Sequence, residues 1–198
     1  MRLSRSTNLL YLHGFLSSPQ SHKAQLTQEY CLRTGCVDRV LVPTLHWGPA
    51  AAIAQLHSIM VAESGNNVIL IGSSLGGYYA TTLAQHYGVP AALVNPAVGP
   101  FERWQEYLGN HKNFYSNTIH TVTRTHIEEL QNLDIALLTN PENFLLLVGQ
   151  GDETLDYRNA VRKFAEASQI VHTGGSHSYE NYAADLPAVF SFLLSRIP

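Results

Sequence analysis

Short apolar runs alternate with longer amphipathic stretches along most of this 198-residue chain, and this alternation limits the folds that it can adopt. The apolar runs predict six strands, at residues 9–13, 39–43, 68–72, 91–95, 144–149 and 170–173. Most of these runs are apolar throughout, which is typical of parallel strands that are covered on both faces. The stretches between and after them predict helices at residues 21–33, 50–62, 75–87, 157–167 and 182–195. The sequence therefore predicts an α/β fold with a doubly wound, mostly parallel six-stranded sheet.

The segment 99–141 departs from this alternation and is expected to form a small helical lid within a single domain that spans residues 1–198. The chain length suits one domain with one hydrophobic core. No clear strand is evident in the segment, and aromatic residues occur there among polar ones: Phe101, Trp104, Tyr107, Phe114 and Tyr115. A segment of this length is rarely structureless in a compact domain. We therefore expect short helices over the carboxyl ends of the strands, with a surface excursion that contacts no ligand as the alternative.

The composition argues against several classes of partner. The net charge is −3 with histidine neutral, and the sequence has no basic stripe of the kind that binds nucleic acid. No apolar run approaches the roughly 18 residues of a membrane-spanning helix, and the first residues lack a signal-peptide core, so we expect a cytoplasmic protein. Cys31 and Cys36 lack CxxC spacing and an accompanying zinc-finger pattern, so two unpaired thiols and no metal site are expected. The sequence does not indicate the oligomeric state.

Residues 72–76, Gly-Ser-Ser-Leu-Gly, match the G-x-S-x-G motif that places a nucleophilic serine between a strand and a helix. A serine at such a sharp turn has a strained backbone, and its Oγ projects clear of the sheet. The turn brings the residues two before and two after the serine close together, and Gly72 and Gly76 occupy these crowded positions. A tight strand-to-helix connection that has no catalytic role can show the same five-residue pattern. The apolar run before the motif and the helix after it favour Ser74 as a nucleophile.

A serine nucleophile requires a base and a third group that orients the base, and two later residues suit these roles. Asp152 follows the apolar run 144–149, and His177 lies in a glycine-rich loop between a predicted strand and the last helix. The order serine, acid, histidine is the order that accompanies this motif. All three residues follow predicted strands, at the sheet edge where open α/β proteins bind ligands. The sequence therefore predicts a catalytic triad of Ser74, Asp152 and His177.

Neighbouring residues are alternatives for two of these roles. Glu153 and Asp156 lie in the same loop as Asp152, and Asp156 is positioned to cap the helix that starts at residue 157. His172 competes with His177, but it lies within a predicted strand, where a histidine is more often a packing residue. A metal site at these two histidines lacks a third ligand in the sequence.

The oxyanion of the transition state requires backbone donors, and the motif locates them at two turns. The amide of Leu75, directly after the serine, is one predicted donor. The second is the amide of Phe15 in the loop after the first strand, where Gly14 permits close approach of the backbone. His13 precedes this glycine at a strand end, and we expect it to hold the loop by hydrogen bonds rather than to act as a catalyst.

Several segments together resemble a known group of enzymes. They read LLYLHGFLSSP, IGSSLGGYYA, VNPAVGPFE, GQGDETLDYR and GGSHSYENY. In this order, from about residue 9 to residue 192, they resemble the small bacterial esterases of the YqiA type (UPF0227) in the α/β-hydrolase superfamily. The resemblance implies a minimal α/β-hydrolase fold without the usual first strands, and a triad at Ser74, Asp152 and His177. It also implies esterase or thioesterase activity on small-molecule acyl substrates, with no cofactor.

The chain departs from this group at residues 45–55 and 120–141, which are regions expected to help form the acyl pocket. The resemblance therefore does not imply the length of the acyl chain or the nature of the leaving group.

Three functional hypotheses follow from these observations. The first is hydrolysis of acyl esters or thioesters through an acyl-enzyme on Ser74. The second keeps the same triad but assigns it to a C–C bond hydrolase or lyase. The third is a small-molecule-binding protein on the same fold without catalysis, which predicts the loss of at least one triad residue. All three triad residues are present, which favours the first hypothesis.

Overall fold

The computed structural model of the protein describes residues 5–116 and 118–197, which contain eight strands and six α-helices. The strands are β1 (Thr7–Leu12), β2 (Arg39–Leu41), β3 (Asn67–Ser73), β4 (Ala91–Val94), β5 (Gly109–Lys112), β6 (Ile119–Val122), β7 (Phe144–Gly149) and β8 (Ser168–His172). The α-helices are α1 (His22–Thr34), α2 (Pro49–Ala62), α3 (Leu75–Tyr87), α4 (Arg124–Gln131), α5 (Tyr157–Lys163) and α6 (Tyr182–Leu194). Within these described ranges, no helix has the length and apolar character that crossing a membrane requires.

Six of the strands form one parallel sheet, in the order β2-β1-β3-β4-β7-β8. The predicted six-stranded sheet is therefore confirmed. β1 lies between β2 and β3, so the direction in which strands are added to the sheet reverses after β2. Open α/β sheets bind ligands at such a reversal, beside the carboxyl ends of the strands. The loops that leave β1 and β3 at this point carry Phe15 and Ser74.

Each face of the sheet is covered by different helices, which explains the unbroken apolar runs in the sequence. Leu10 of β1 belongs to a buried cluster with Leu56 of α2 and Leu83 of α3. Its neighbour Leu9 belongs to a second cluster with Phe190 of α6, on the opposite face. Successive strand residues point to opposite faces, so both sets of side chains must be apolar when both faces are covered.

The segment 99–141 contains strands as well as helices, which corrects the expectation of a purely helical lid without strands. Two short 3-10 helices, at Pro100–Glu102 and Trp104–Tyr107, lead into an antiparallel hairpin formed by β5 and β6, and α4 follows. The hairpin strands are half-exposed and read GNHK and IHTV. They lack the apolar run by which the sheet strands are recognised, because the hairpin lies on the surface and is not covered on both faces.

Candidate active site

Ser74 lies between β3 and α3 in a backbone conformation that few residues adopt. Its φ of 55° and ψ of −122° are unfavourable for a residue that has a Cβ. The Ser74 amide donates to the Val94 carbonyl (3.0 Å), and the Ser74 carbonyl accepts from the amides of Gly77 (2.9 Å) and Ala97 (3.0 Å). Hydrogen bonds from two neighbouring segments thus stabilise the strained turn and fix the direction of the serine side chain.

The two glycines of the motif lie where no side chain fits. A Cβ on Gly72 would collide with the backbone of Gly76 and Gly77. A Cβ on Gly76 would collide with the carbonyls of Leu12 and His13 at the end of β1. The spacing of the motif therefore allows α3 to begin directly against β1 and β3.

The side chains of Ser74, His177 and Asp152 form a continuous hydrogen-bonded chain. The distance from Ser74 Oγ to His177 Nε2 is 3.0 Å, and the distance from His177 Nδ1 to Asp152 Oδ2 is 2.8 Å. The other carboxylate oxygen of Asp152 accepts from the backbone amides of Thr154 and Leu155, each at 2.8 Å. Asp152 is buried, with 2% of its side chain exposed, whereas 24% of His177 is exposed. With Nδ1–H donating to Asp152, Nε2 is free to accept the serine proton.

The alternative acids have other partners. Asp156 caps α5 by accepting from the Arg158 amide (3.0 Å), and its carboxylate pairs with the Arg158 guanidinium at 2.8 Å. The hydrogen bonds from Arg158 lower the pKa of Asp156 below its ordinary value. Glu153 accepts from the backbone amide of His177 (3.0 Å) and therefore supports the histidine loop rather than the imidazole.

The alternative histidine lies in a separate cluster. His172 Nε2 is 2.8 Å from Asp185 Oδ2, and the Tyr179 hydroxyl donates to the same carboxylate oxygen at 2.8 Å. The structure therefore does not bring His172 to the serine. Across residues 5–116 and 118–197, no group of three or more His, Cys, Asp or Glu side chains is arranged to hold a metal ion.

His13 holds the loop after β1 rather than pointing at Ser74. Its Nδ1 donates to the Gly14 carbonyl (3.0 Å), and its Nε2 accepts from the Leu45 amide (3.2 Å). Burial lowers the pKa of His13, which favours the neutral ring that these two hydrogen bonds require. The loop lies against the nucleophile, since a Cβ on Gly14 would be 3.2 Å from the Ser74 Cβ.

Phe15 and Leu75 line the same cavity as Ser74 and His177. Leu75 is the first residue of α3, where backbone amides have no acceptor within the helix. Neither the Phe15 amide nor the Leu75 amide donates to a loop carbonyl or to a side chain of any residue that the structure describes. Both are therefore available to a ligand oxygen held beside Ser74.

This first cavity has a volume of about 670 Å³, which is in the range of small-molecule sites. Aromatic residues of the 99–141 segment, namely Trp104, Tyr107 and Phe114, contribute to its wall. The centre of the Phe15 ring lies 4.9 Å from that of the Trp104 ring. The Tyr107 ring also packs edge-on against the Phe15 ring, with the ring centres 6.4 Å apart. The segment thus packs on the loop that carries one of the candidate oxyanion donors.

Asn95 joins the two loops that carry Asp152 and His177, and sequence reasoning missed it. Its Nδ2 donates to the carbonyls of Ser176 (3.1 Å) and His177 (3.3 Å), and its Oδ1 accepts from the Gly149 amide (3.0 Å). Asn95 is buried, and its φ of 39° is one that asparagine tolerates better than most residues. A polar residue directly after a buried strand was the available signal.

Lys23 is a second residue outside the predicted set that supports the histidine loop. Its Nζ donates to the carbonyl of Ser178, the residue after His177, at 2.9 Å. Partial burial lowers the pKa of Lys23, although the nearby carboxylates of Asp152 and Glu180 act in the opposite direction. Nothing in the local sequence marks this lysine, because it lies on α1, far from the loop along the chain.

Comparison with known protein families identifies the family of this chain. Residues 8–194 match the family described as Uncharacterised protein family UPF0227. The chain belongs to this family. The match confirms the resemblance to the YqiA-type group that the sequence indicated. It extends over nearly all of the sheet and over both loops that carry the candidate acid and base.

Solved structures share the fold of this UPF0227 protein. The alpha/beta hydrolase domain-containing protein 10 from mouse matches with a TM-score of 0.75 and 16% identity, over 100% of this chain and 94% of that chain. Est1E from Butyrivibrio proteoclasticus matches with a TM-score of 0.72 and 13% identity, over 98% and 90%. The monoacylglycerol lipase from Paleococcus ferrophilus matches with a TM-score of 0.66 and 16% identity, over 96% and 95%. These similarities confirm the α/β-hydrolase fold.

Proposed function

We propose that this protein is a serine hydrolase that cleaves the ester or thioester bond of small acyl substrates. The supporting observation is the hydrogen-bonded chain from Ser74 Oγ through His177 to Asp152, at the carboxyl ends of three strands. One fold relative, from Paleococcus ferrophilus, is a monoacylglycerol lipase, which supports the same class of reaction. The hypothesis of a non-catalytic binding protein has less support, because each residue of the proposed triad is present and paired as acyl transfer requires.

In the first step, His177 Nε2 takes the hydroxyl proton of Ser74 while Oγ attacks the carbonyl carbon of the substrate. Asp152 holds the imidazole in the required tautomer and stabilises its protonated form. The amides of Phe15 and Leu75 donate to the developing oxyanion. The tetrahedral intermediate then collapses: the bond to the leaving group breaks, and His177 donates its proton to the departing oxygen or sulfur.

In the second step, water hydrolyses the acyl-enzyme. His177 takes a proton from the attacking water, and the same two amides stabilise the second oxyanion. The bond to Ser74 Oγ then breaks, the proton returns to Oγ, and the carboxylic acid leaves. The reaction needs no group beyond the residues named here and water.

The proposal predicts different effects for the two adjacent serines. Ser74→Ala should lower kcat for p-nitrophenyl butyrate by about 10⁴- to 10⁶-fold, because the nucleophile is lost. Ser73→Ala is the matched control, since Ser73 is the last residue of β3 and the His177 ring bonds to Ser74 and Asp152 instead. Its kcat should stay within a few-fold of wild type. Release of p-nitrophenol, followed by absorbance with protein shown by circular dichroism to be folded, provides the measurement.

Normal hydrolysis by Ser74→Ala would exclude Ser74 as the nucleophile. A folded wild-type protein that hydrolyses no ester or thioester, while Ser74 still reacts with a fluorophosphonate, would favour the C–C bond hydrolase or lyase.

A further inference from the structure

A second cavity of about 670 Å³ lies beside the first and shares Phe15, Leu16 and Leu75 with it. The β5–β6 hairpin extends over both cavities, since Phe114 lines the first and Tyr115 lines the second. The Phe114 amide donates to the Leu16 carbonyl (3.0 Å), so the hairpin is attached to the shared wall. The two cavities are thus compartments on either side of the loop that carries a candidate oxyanion donor.

The second cavity reaches close to the nucleophile. Gly14 forms part of its wall, and a Cβ on Gly14 would lie 3.7 Å from Ser74 Oγ. Gly14 therefore contacts the second cavity and also lies next to the serine side chain.

The lining of the second cavity is mostly apolar, and its polar groups carry no fixed charge. None of its described residues has a carboxylate, an ammonium or a guanidinium group, whereas Glu102, Arg103 and Lys112 line the first cavity. Hydroxyl, amide and imidazole side chains supply its polar atoms, among them Gln55 and His120. A charged ligand group would find no counter-charge among these residues. The second cavity therefore suits an uncharged group.

Tyr79 supplies a polar atom that has no hydrogen-bond partner among the residues that the structure describes. The residue is 2% exposed and lines the second cavity, and its hydroxyl makes no hydrogen bond with any residue in 5–116 or 118–197. The buried polar atoms that are both sealed and unpaired in these ranges are Asn8 Oδ1 and Ser21 Oγ, so the Tyr79 hydroxyl is open to the cavity. Burial raises the pKa of Tyr79, so the hydroxyl stays protonated and can donate to a ligand.

The stereochemistry of acyl transfer indicates which part of the substrate faces the second cavity. At the tetrahedral carbon, the oxyanion points to the amides of Phe15 and Leu75, and the leaving group must face His177 to receive its proton. His177 lines the first cavity but not the second. The leaving group therefore occupies the first cavity. The remaining substituent, the acyl chain, points away from His177.

We propose that the second cavity is the acyl subsite, and that it takes an uncharged acyl chain whose hydroxyl group binds Tyr79. This inference rests on the proposed hydrolase function and adds the substrate class to it. It assigns the acyl chain to the side of the Phe15 loop that faces Trp47 and Tyr79, and the leaving group to the side that faces Trp104.

The test compares methyl esters that share one leaving group and differ in the acyl chain. Each pair is a straight-chain acid of six, eight or ten carbons and its analogue with a terminal hydroxyl group. For at least one chain length, the kcat/KM of wild type should be about five- to tenfold higher for the hydroxylated ester than for its parent. A factor of this size corresponds to the net contribution of one neutral hydrogen bond. Tyr79→Phe should bring this ratio close to one.

Two further variants complete the design. Tyr30→Phe is the matched control, because Tyr30 stacks on Phe190 on the opposite face of the sheet and lines neither cavity. Its ratio should equal that of wild type. Ala51→Phe places a bulky side chain in the wall of the second cavity. This variant should lower kcat/KM for the ten-carbon ester at least tenfold relative to methyl acetate.

Two outcomes would overturn the acyl subsite while leaving the hydrolase intact. The first is that Ser74-dependent hydrolysis persists and the ratio does not respond to Tyr79→Phe at any chain length. The second is that monomethyl adipate, whose acyl chain ends in a carboxylate, is hydrolysed as fast as the neutral hydroxylated ester of the same length. The proposed function itself fails in a different way, since wild type would then hydrolyse none of these esters and Ser74 would not react with a fluorophosphonate.

Discussion

At the scale of single residues, Asn95 is a buried side chain that connects the segments carrying the acid and the base of the candidate triad. It makes three hydrogen bonds, to the backbone of Gly149 at the end of β7 and to Ser176 and His177 in the histidine loop. A buried donor or acceptor left without a partner costs about 1–3 kcal/mol. Removing this side chain would take a hydrogen-bond partner from three backbone groups near the candidate triad.

We predict that Asn95→Ala lowers kcat about 10- to 100-fold and changes KM little, because a small displacement of the imidazole is costly in a positioned reaction. Asn95→Asp keeps the acceptor for the Gly149 amide but places a carboxylate against two carbonyl oxygens, so it should be at least as slow. Steady-state kinetics with p-nitrophenyl butyrate, on protein shown to be folded, separates kcat from KM.

Asn8 offers a matched control for this prediction. It is also buried, and its Nδ2 donates to Glu63 Oε2 (2.6 Å), but it lines neither cavity. Asn8→Ala should lower the free energy of unfolding and leave kcat of the folded protein unchanged. If Asn95→Ala loses stability but no more kcat than Asn8→Ala, the positioning role is wrong.

The contrast between Ser74 and Asn95 shows what sequence reasoning reaches at this scale. Ser74 has a reactive group and a spacing pattern around it, so its chemistry can be inferred before the fold is known. Asn95 acts through backbone groups more than 50 positions away along the chain, which become its neighbours only after folding. Its amide carries no chemistry of its own that a motif would record.

At the scale of elements, the carboxylate of Glu63 connects three segments at the end of the sheet opposite the candidate site. It accepts from Asn66 Nδ2 (2.8 Å) in its own loop and from Asn8 Nδ2 (2.6 Å) in β1, and Arg39 at the start of β2 lies 3.3 Å away. The hydrogen bonds from Asn66 and Asn8, with a smaller effect of Arg39, lower the pKa of Glu63.

The lowered pKa predicts a pH-dependent contribution to stability. A carboxyl whose pKa is lower in the folded state stabilises the fold above its ordinary pKa of about 4.3 and loses this effect as the pH falls through the folded value. Glu63→Gln should therefore destabilise the protein more at pH 7 than at pH 3.5. Urea unfolding at both pH values measures the difference. Glu166→Gln, at an exposed side chain, is the comparison variant, and equal pH dependence in the two variants would contradict the prediction.

The two kinds of strand differ in how well the sequence predicts them. The sheet strands are apolar on both faces because helices cover both, so each of them is visible as a run. The hairpin strands β5 and β6 are short, half-exposed and rich in polar residues, and they pair mainly with each other. The length and aromatic residues of this segment predicted a lid of short helices, but not a hairpin that carries Phe114 and Tyr115.

At the scale of the whole molecule, the strand order brings distant loops to one rim. The prediction of a rim site follows from the fold class, because parallel strands end on the same side of the sheet. The division of that rim into two cavities could not be predicted. The second cavity takes its lining from the loops after β1 and β2, from α2 and α3, and from the hairpin, and the relative placement of these segments depends on packing rather than on any local pattern.

The central claim is that Ser74, activated by His177 and Asp152, is the nucleophile of this protein. Reaction with a fluorophosphonate, followed by intact mass spectrometry and peptide mapping, tests it most directly. Wild type should gain one adduct, on Ser74, and His177→Ala should react at least about 10³-fold more slowly. An adduct on another residue, or labelling of Ser74 at the wild-type rate in His177→Ala, would contradict the claim.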